Sequence, residues 1–139
     1  MIVADANLIV YLVLPGERTE ESEAVLLADP AWVVPVLWAS EMRSVVSHFV
    51  RDRAITVSQG SAAMDRAAAL IDGREGPVNS REVLELAHHS GCSSYDCEYV
   101  ALAISLDIPL VTSDKAVLRA FPRVAVSPPH FLEADANAR

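Results

Sequence analysis

Short apolar runs of strand length alternate along the chain with stretches of helical periodicity. Residues 2–5 (IVAD) predict a strand ending on a carboxylate, and ANLIVYLVL continues it as a buried strand-to-helix passage until Pro15 and Gly16 stop it. Thr19 is placed to cap a helix with an acidic first turn (Glu20, Glu21, Glu23) that runs through Val25 and Ala28 to Asp29 and Pro30. WVVP at 32–35 predicts a second strand. Pro35 suits the first turn of the next helix, in which Leu37, Trp38, Glu41, Met42, Val45, Val46 and Phe49 follow helical spacing.

A further Ala-rich helix is expected from about Ser58 to Ile71, and DGREGPVNS after it has the composition of a loop. Ser80 can cap a helix over REVLELAHH that Gly91 ends; Ser93 or Ser94 can cap the next. That next segment, YDCEYVALAISL, is apolar on nearly every side and should be buried. IPLVTSD predicts a strand, KAVLRAF a short helix and VAV a last strand, leaving EADANAR as a frayed polar tail. The alternation implies an α/β fold: one domain over 1–139, a central parallel sheet of about four to five short strands, and helices on both sides of it.

Composition supports a folded chain: 139 residues, 52% hydrophobic and 22% charged. With only 6% aromatic residues, the apolar mass is mostly Ala, Val and Leu, better suited to packing helices on a sheet than to stacking bases. Two cysteines are too few for a disulfide framework, which points to a reducing, cytoplasmic setting. The first residues have neither a basic segment nor an unbroken apolar run, so no signal peptide, anchor or membrane association is expected. A net charge of -8 argues against a general nucleic-acid binder, unless much of that charge sits in one pocket and is neutralised by a cation.

The candidate chemistry lies in four carboxylates that interrupt apolar surroundings. Asp5 ends the first strand and Asp114 follows PLVT directly, at the strand ends where open parallel sheets bind ligands. Glu41 falls about two turns into its helix, between apolar Leu37 and Val45 on what reads as the buried stripe, and Asp96 lies in the first turn of a very apolar helix. Taken singly, Asp5, Asp96 and Asp114 have ordinary explanations as helix caps, dipole partners or turn formers. Taken together, converging carboxylates repel one another unless a cation compensates them, and oxygen ligands select Mg²⁺ or Mn²⁺ over zinc. Such ions activate water for in-line attack on a phosphodiester.

SSYDCEYVALAISLDIPLVTSDKAVLRAFP resembles the C-terminal signature of PIN-domain ribonucleases, in particular VapC-type toxins of bacterial toxin-antitoxin pairs. MIVADANLIVYLVL is similar to that family's first strand and helix, and VPVLWASEMRSVV to the segment carrying its Glu; between 51 and 80 the likeness is one of length and pattern. The resemblance implies a PIN-like domain in which Asp5, Glu41, Asp96 and Asp114 bind Mg²⁺ or Mn²⁺, with Asn7 and Thr112 or Ser113 assisting by hydrogen bonds. It further implies endonucleolytic cleavage of RNA leaving a 5′-phosphate and a 3′-hydroxyl. Its implied partners are a small cognate antitoxin and a second copy of the chain in a homodimer.

Other features carry weaker expectations. Arg43, Arg51 and Arg53, on or just past the Glu41 helix, are candidate RNA-backbone contacts or merely a solvated face. His88, His89, Cys92 and Cys97 fit no standard zinc spacing, and Trp32 and Trp38 are assigned to packing. Two rival functions remain at this level: a noncatalytic module whose acidic pocket holds a basic peptide, and a phosphatase of the haloacid dehalogenase type. The latter family's motif wants an acid where Asn7 stands.

Overall fold

The computed structural model describes residues 1–139. In chain order the elements are β1 (Ile2–Ala4), α1 (Ala6–Val13), α2 (Thr19–Ala28), β2 (Trp32–Pro35), α3 (Trp38–Arg51), α4 (Val57–Ile71), β3 (Glu75–Gly76), α5 (Ser80–Ser90), α6 (Ser94–Leu106), β4 (Leu110–Val111), α7 (Lys115–Ala120), β5 (Ala125–Val126) and α8 (Pro128–Ala138). The five strands form one sheet in the order β3-β2-β1-β4-β5, every neighbouring pair parallel. Val3 of β1 is level with Val33 of β2 on one side and with Leu110 of β4 on the other.

Successive side chains on a strand point to opposite faces, and that alternation divides the core in two. Ile2, Ala4, Trp32, Val34 and Val111 pack with Leu8, Ile9, Val25, Trp38, Met42 and Ile71 on one face, beneath α1 to α4. Val3, Val33 and Leu110 pack with Tyr99, Val100, Leu102 and Val117 on the other, beneath α6 and α7. Both faces are covered, which is why the strands read as unbroken apolar runs; α6 is buried in its middle, between the sheet and α5, while Tyr95, Ile104 and Leu106 near its ends are exposed.

Several local signals work as expected. Ser93 caps α6, its Oγ accepting from the Asp96 amide at 3.1 Å. Gly91 ends α5 with a left-handed φ of 75°. The helix expected from about Ser58 starts at Val57, where a reciprocal capping box between Thr56 and Gln59, not anticipated from the sequence, begins α4.

Elsewhere the structure departs from the sequence expectation, each time for a physical reason. Thr19 does not cap α2; its hydroxyl donates to the Tyr11 carbonyl at 2.6 Å and accepts from the Gly16 amide at 2.9 Å, fastening the turn after α1. Asn79 rather than Ser80 caps α5, its Oδ1 accepting from the Glu82 amide at 3.1 Å. Pro35 closes β2 and α3 starts only at Trp38, so Glu41 lies in the first turn and not two turns in.

The expected loop DGREGPVNS contains β3. Arg74 braces it with bonds to the carbonyls of Leu70 (2.8 Å) and Trp32 (3.0 Å), and Glu75 accepts from Trp38 Nε1 at 2.7 Å. The expected frayed tail is instead helix α8 as far as Ala138. Ser127 caps it, Pro128 and Pro129 preset its first turn, and Phe131 and Leu132 pack against the α1–α4 core.

Candidate active site

β1 lies in the middle of the sheet, with β2 and β3 to one side and β4 and β5 to the other. The crevice at the carboxyl ends of β1 and β4 is therefore a topological switch point, where sheets of this kind bind ligands. Asp5 leaves β1 there. Thr112, Ser113 and Asp114 leave β4 beside it.

Asp5 holds the N-cap position of α1, yet its side chain makes no capping bond. Its Oδ2 accepts instead from Thr112 Oγ1 and, at 3.4 Å, from Asn7 Nδ2. Thr112, fully buried, also accepts from the Asp114 amide at 3.0 Å, so one hydroxyl couples the two strand ends. Asp114 does cap α7: its Oδ1 accepts from the amides of Ala116 (2.9 Å) and Val117 (3.2 Å). Asp96 projects from the first turn of α6 and Glu41 from the first turn of α3. Asp5, Glu41, Asp96, Asp114 and Asn7 all line one open cleft of about 610 Å³.

Leu37, Val45 and Phe49 form part of the same wall. The stripe that holds Glu41 is thus the side of a cleft, not core as the sequence implied, and Val45 and Phe49 are 37% and 38% exposed. Tyr11, Ser40, Ser44 and Tyr95 line the cleft as well and escaped the sequence reading. For Tyr95 a signal was present, since it directly precedes Asp96 in the first turn of the same helix.

Burial and mutual repulsion work in one direction on the carboxylates. Desolvation, with further repulsion from Glu41 and Asp96, lifts Asp5 from 3.8 to about 6 despite the opposing Thr112 hydrogen bond. Glu41 is raised by desolvation, against an opposing contact from the Tyr99 hydroxyl and with Asp96 and Glu98 adding to the rise; Asp96 is raised by desolvation, against the Ser93 hydrogen bond and with Asp114 adding. The four acids therefore share one negative field. Tyr99, buried against Glu41, is held protonated well above its ordinary range, first by desolvation.

Asn7 Oδ1, Glu41 Oε1, Ser113 Oγ and Tyr99 Oη are buried without hydrogen-bond partners. Ser113 accordingly makes none of the bonds that Thr112 makes. An all-oxygen donor set of carboxylates with unpartnered amide and carboxyl oxygens suits a hard divalent cation. As the side chains stand, no three carboxylate, imidazole or thiol groups are close enough to close on one ion. Holding one would require the carboxylates to draw together, with the cation's charge offsetting their mutual repulsion.

The remaining candidates lie elsewhere. Arg43 and Arg51 line a separate groove between α3 and α4 with Val46, Val50, Gly60 and Met64. Two residues along a helix is about 200° of rotation, so Arg43 points away from the cleft that Glu41 faces. Arg53 is exposed in the turn after α3, with a left-handed φ of 58°. Cys97 is buried beside Ser90, His88 and His89 are exposed at the end of α5, and both tryptophans are buried in the core.

A parallel five-stranded sheet with acidic side chains gathered at its switch point is the organisation of a PIN domain. The PIN domain family model matches residues 2–126, and the chain belongs to that family. Within it the chain is similar to ribonuclease VapC1 of Mycobacterium tuberculosis, strains CDC 1551 / Oshkosh and ATCC 25618 / H37Rv: 33% identity over 97 residues, covering 68% of this chain and 71% of that protein. Among solved structures it resembles PAE2754 from Pyrobaculum aerophilum, with TM-score 0.77, 18% identity, and coverage of 98% of this chain and 89% of that one. It also resembles FitAcB from Neisseria gonorrhoeae, with TM-score 0.68, 19% identity, and coverage of 94% and 99%. At those identities the two structures speak for the fold.

Proposed function

We propose that this protein is a divalent-metal-dependent endoribonuclease and the toxin of a toxin-antitoxin pair. The observation that carries the proposal is the meeting, in one cleft, of four carboxylates drawn from the ends of two strands and the first turns of two helices, in a chain similar to ribonuclease VapC1. Asp5, Glu41, Asp96 and Asp114 would hold Mg²⁺ or Mn²⁺, which when bound supplies an activated water and charge stabilisation for phosphodiester hydrolysis. Thr112 fixes Asp5 relative to Asp114, and Asn7 steadies the outer side of Asp5. The apolar wall of Leu37, Val45 and Phe49 excludes water from one side of the reacting phosphate and leaves the other open to an RNA strand.

The same cleft offers an acidic, partly apolar seat for a basic segment of a small cognate antitoxin, which would silence the enzyme by occupying it. No helix of the protein is long and apolar enough to cross a membrane, and we place its action in the cytoplasm, as a homodimer whose mass light scattering would report. The central test uses the purified, antitoxin-free protein. With Mn²⁺ it should cut single-stranded RNA, whereas the Asp5→Asn variant should fold and not cut. Equal cleavage by both proteins, or cleavage that persists in chelator, excludes the mechanism; binding of a basic peptide without any cleavage supports the noncatalytic alternative.

A further inference from the structure

Tyr99 has no part in the chemistry described above, yet the fold places it directly under the cleft. Its ring is fully buried and packs with Val3, Ala6, Val33 and Leu102, in the layer that carries the residues next to Asp5 and ahead of α3. Its hydroxyl has neither solvent nor a hydrogen-bond partner. A buried phenolic hydroxyl in that state is unfavourable, and a phenylalanine would fill the same space without it.

The group that this hydroxyl adjoins is the Glu41 carboxyl, whose Oε1 is also buried and also unpartnered. The other strand-end and cap carboxylates are held: Asp5 by Thr112 and Asn7, Asp114 by two backbone amides. The buried oxygen of Glu41 has no donor within normal hydrogen-bond distance; the Tyr99 hydroxyl alone approaches it closely enough to favour its ionised form. Tyr99 lies three residues beyond Asp96, so one face of α6 presents the carboxylate and the phenol toward the same region.

We infer that Tyr99 is a positioning residue: its phenol donates a hydrogen bond to Glu41 when that carboxylate takes up a divalent cation, and so fixes the Glu41 rotamer relative to Asp96. The inference rests on the metal-dependent reading of the cleft. A donor behind a ligating carboxylate orients it and typically accounts for roughly 10-fold to 100-fold in metal affinity. In the metal-free protein the same hydroxyl is buried without a partner at normal hydrogen-bond distance, so its removal should not lower stability.

The test is calorimetric titration of Mn²⁺ into the full chain, wild type and Tyr99→Phe, with thermal melts of both in chelator. Tyr99→Phe should bind Mn²⁺ roughly 10-fold to 100-fold more weakly, and melt in chelator at the same temperature as wild type or higher. RNA cleavage by the variant should recover when Mn²⁺ is raised by the same factor. Equal Mn²⁺ affinity in the two proteins overturns the positioning role and leaves the metal reading standing. A variant that melts well below wild type in chelator, or does not fold, shows a structural role for the hydroxyl and also overturns it. Absence of Mn²⁺ binding by the wild type removes the metal reading itself, and this inference with it.

Discussion

Replacing Asp5 by Asn removes a carboxylate that the fold holds at an energetic disadvantage. Its proton is retained up to about 6 in the folded protein against 3.8 ordinarily. Below about pH 3 the group is neutral in both folded and unfolded chains and has no effect on stability. As pH rises the unfolded chain ionises first, so it releases protons that the folded chain keeps, and stability falls until the folded group also ionises. Above about pH 6 the full disadvantage is present, and the size of the shift puts it at up to about 3 kcal/mol, an upper value because Asp5 is only part-buried.

Asn keeps an oxygen for Thr112 and has nothing to ionise. In chelator the variant should therefore be more stable than wild type by at most about 1 kcal/mol at pH 4.5, and by up to about 3 kcal/mol at pH 7.5. Glu41 and Asp96 are raised in the same direction, but they are present in both proteins and largely cancel in the difference. Urea denaturation at the two pH values measures it directly. With Mn²⁺ at about a thousand times the dissociation constant the order should reverse, because binding to the folded state alone then adds about 4.1 kcal/mol to wild type. If Asp5→Asn is less stable than wild type at pH 7.5 in chelator, or if the gap does not widen with pH, then Asp5 is a satisfied structural group and the account of the cleft as a strained anionic site fails.

Two further outcomes are expected. A Cβ at Gly76 would come within 2.4 Å of Leu102 Cδ1, so the fully buried Leu102 side chain must shift within the core, and Gly76→Ala should destabilise the fold by about 1–3 kcal/mol in urea denaturation. A change below about 0.5 kcal/mol would mean that Leu102 yields to the added methyl without cost and that the close approach at Gly76 is not required. Alanine at Arg43, Arg51 and Arg53 together should leave the salt dependence of RNA cleavage unchanged, because Arg43 and Arg51 serve a different groove; a log-log slope shallower by about one unit per residue removed would place them on the RNA backbone.

The sequence by itself determined what depends on contacts within a few residues. Periodicity and caps located nearly every helix, the unbroken apolar character of β1, β2 and α6 declared them buried, and the four acids stood out because each interrupts an apolar setting. Tertiary structure decided the rest. β3 is two residues long, and its existence depends on pairing with β2 some forty positions away and on Gly76 leaving space for Leu102. α8 is ordered because Phe131 and Leu132 find the α1–α4 core, which no local pattern in a polar tail announces. The stripe bearing Glu41 looked like core because a cleft wall and a core surface are both apolar at helical spacing; only the packing of α1 and α6 around it shows which one is open. Strand order, with β1 placed between β2 and β4, brings Asp5 and Asp114 to one crevice from 109 positions apart. Charge repulsion and burial act through space, so the strength of that field became visible only once the chain had closed around it.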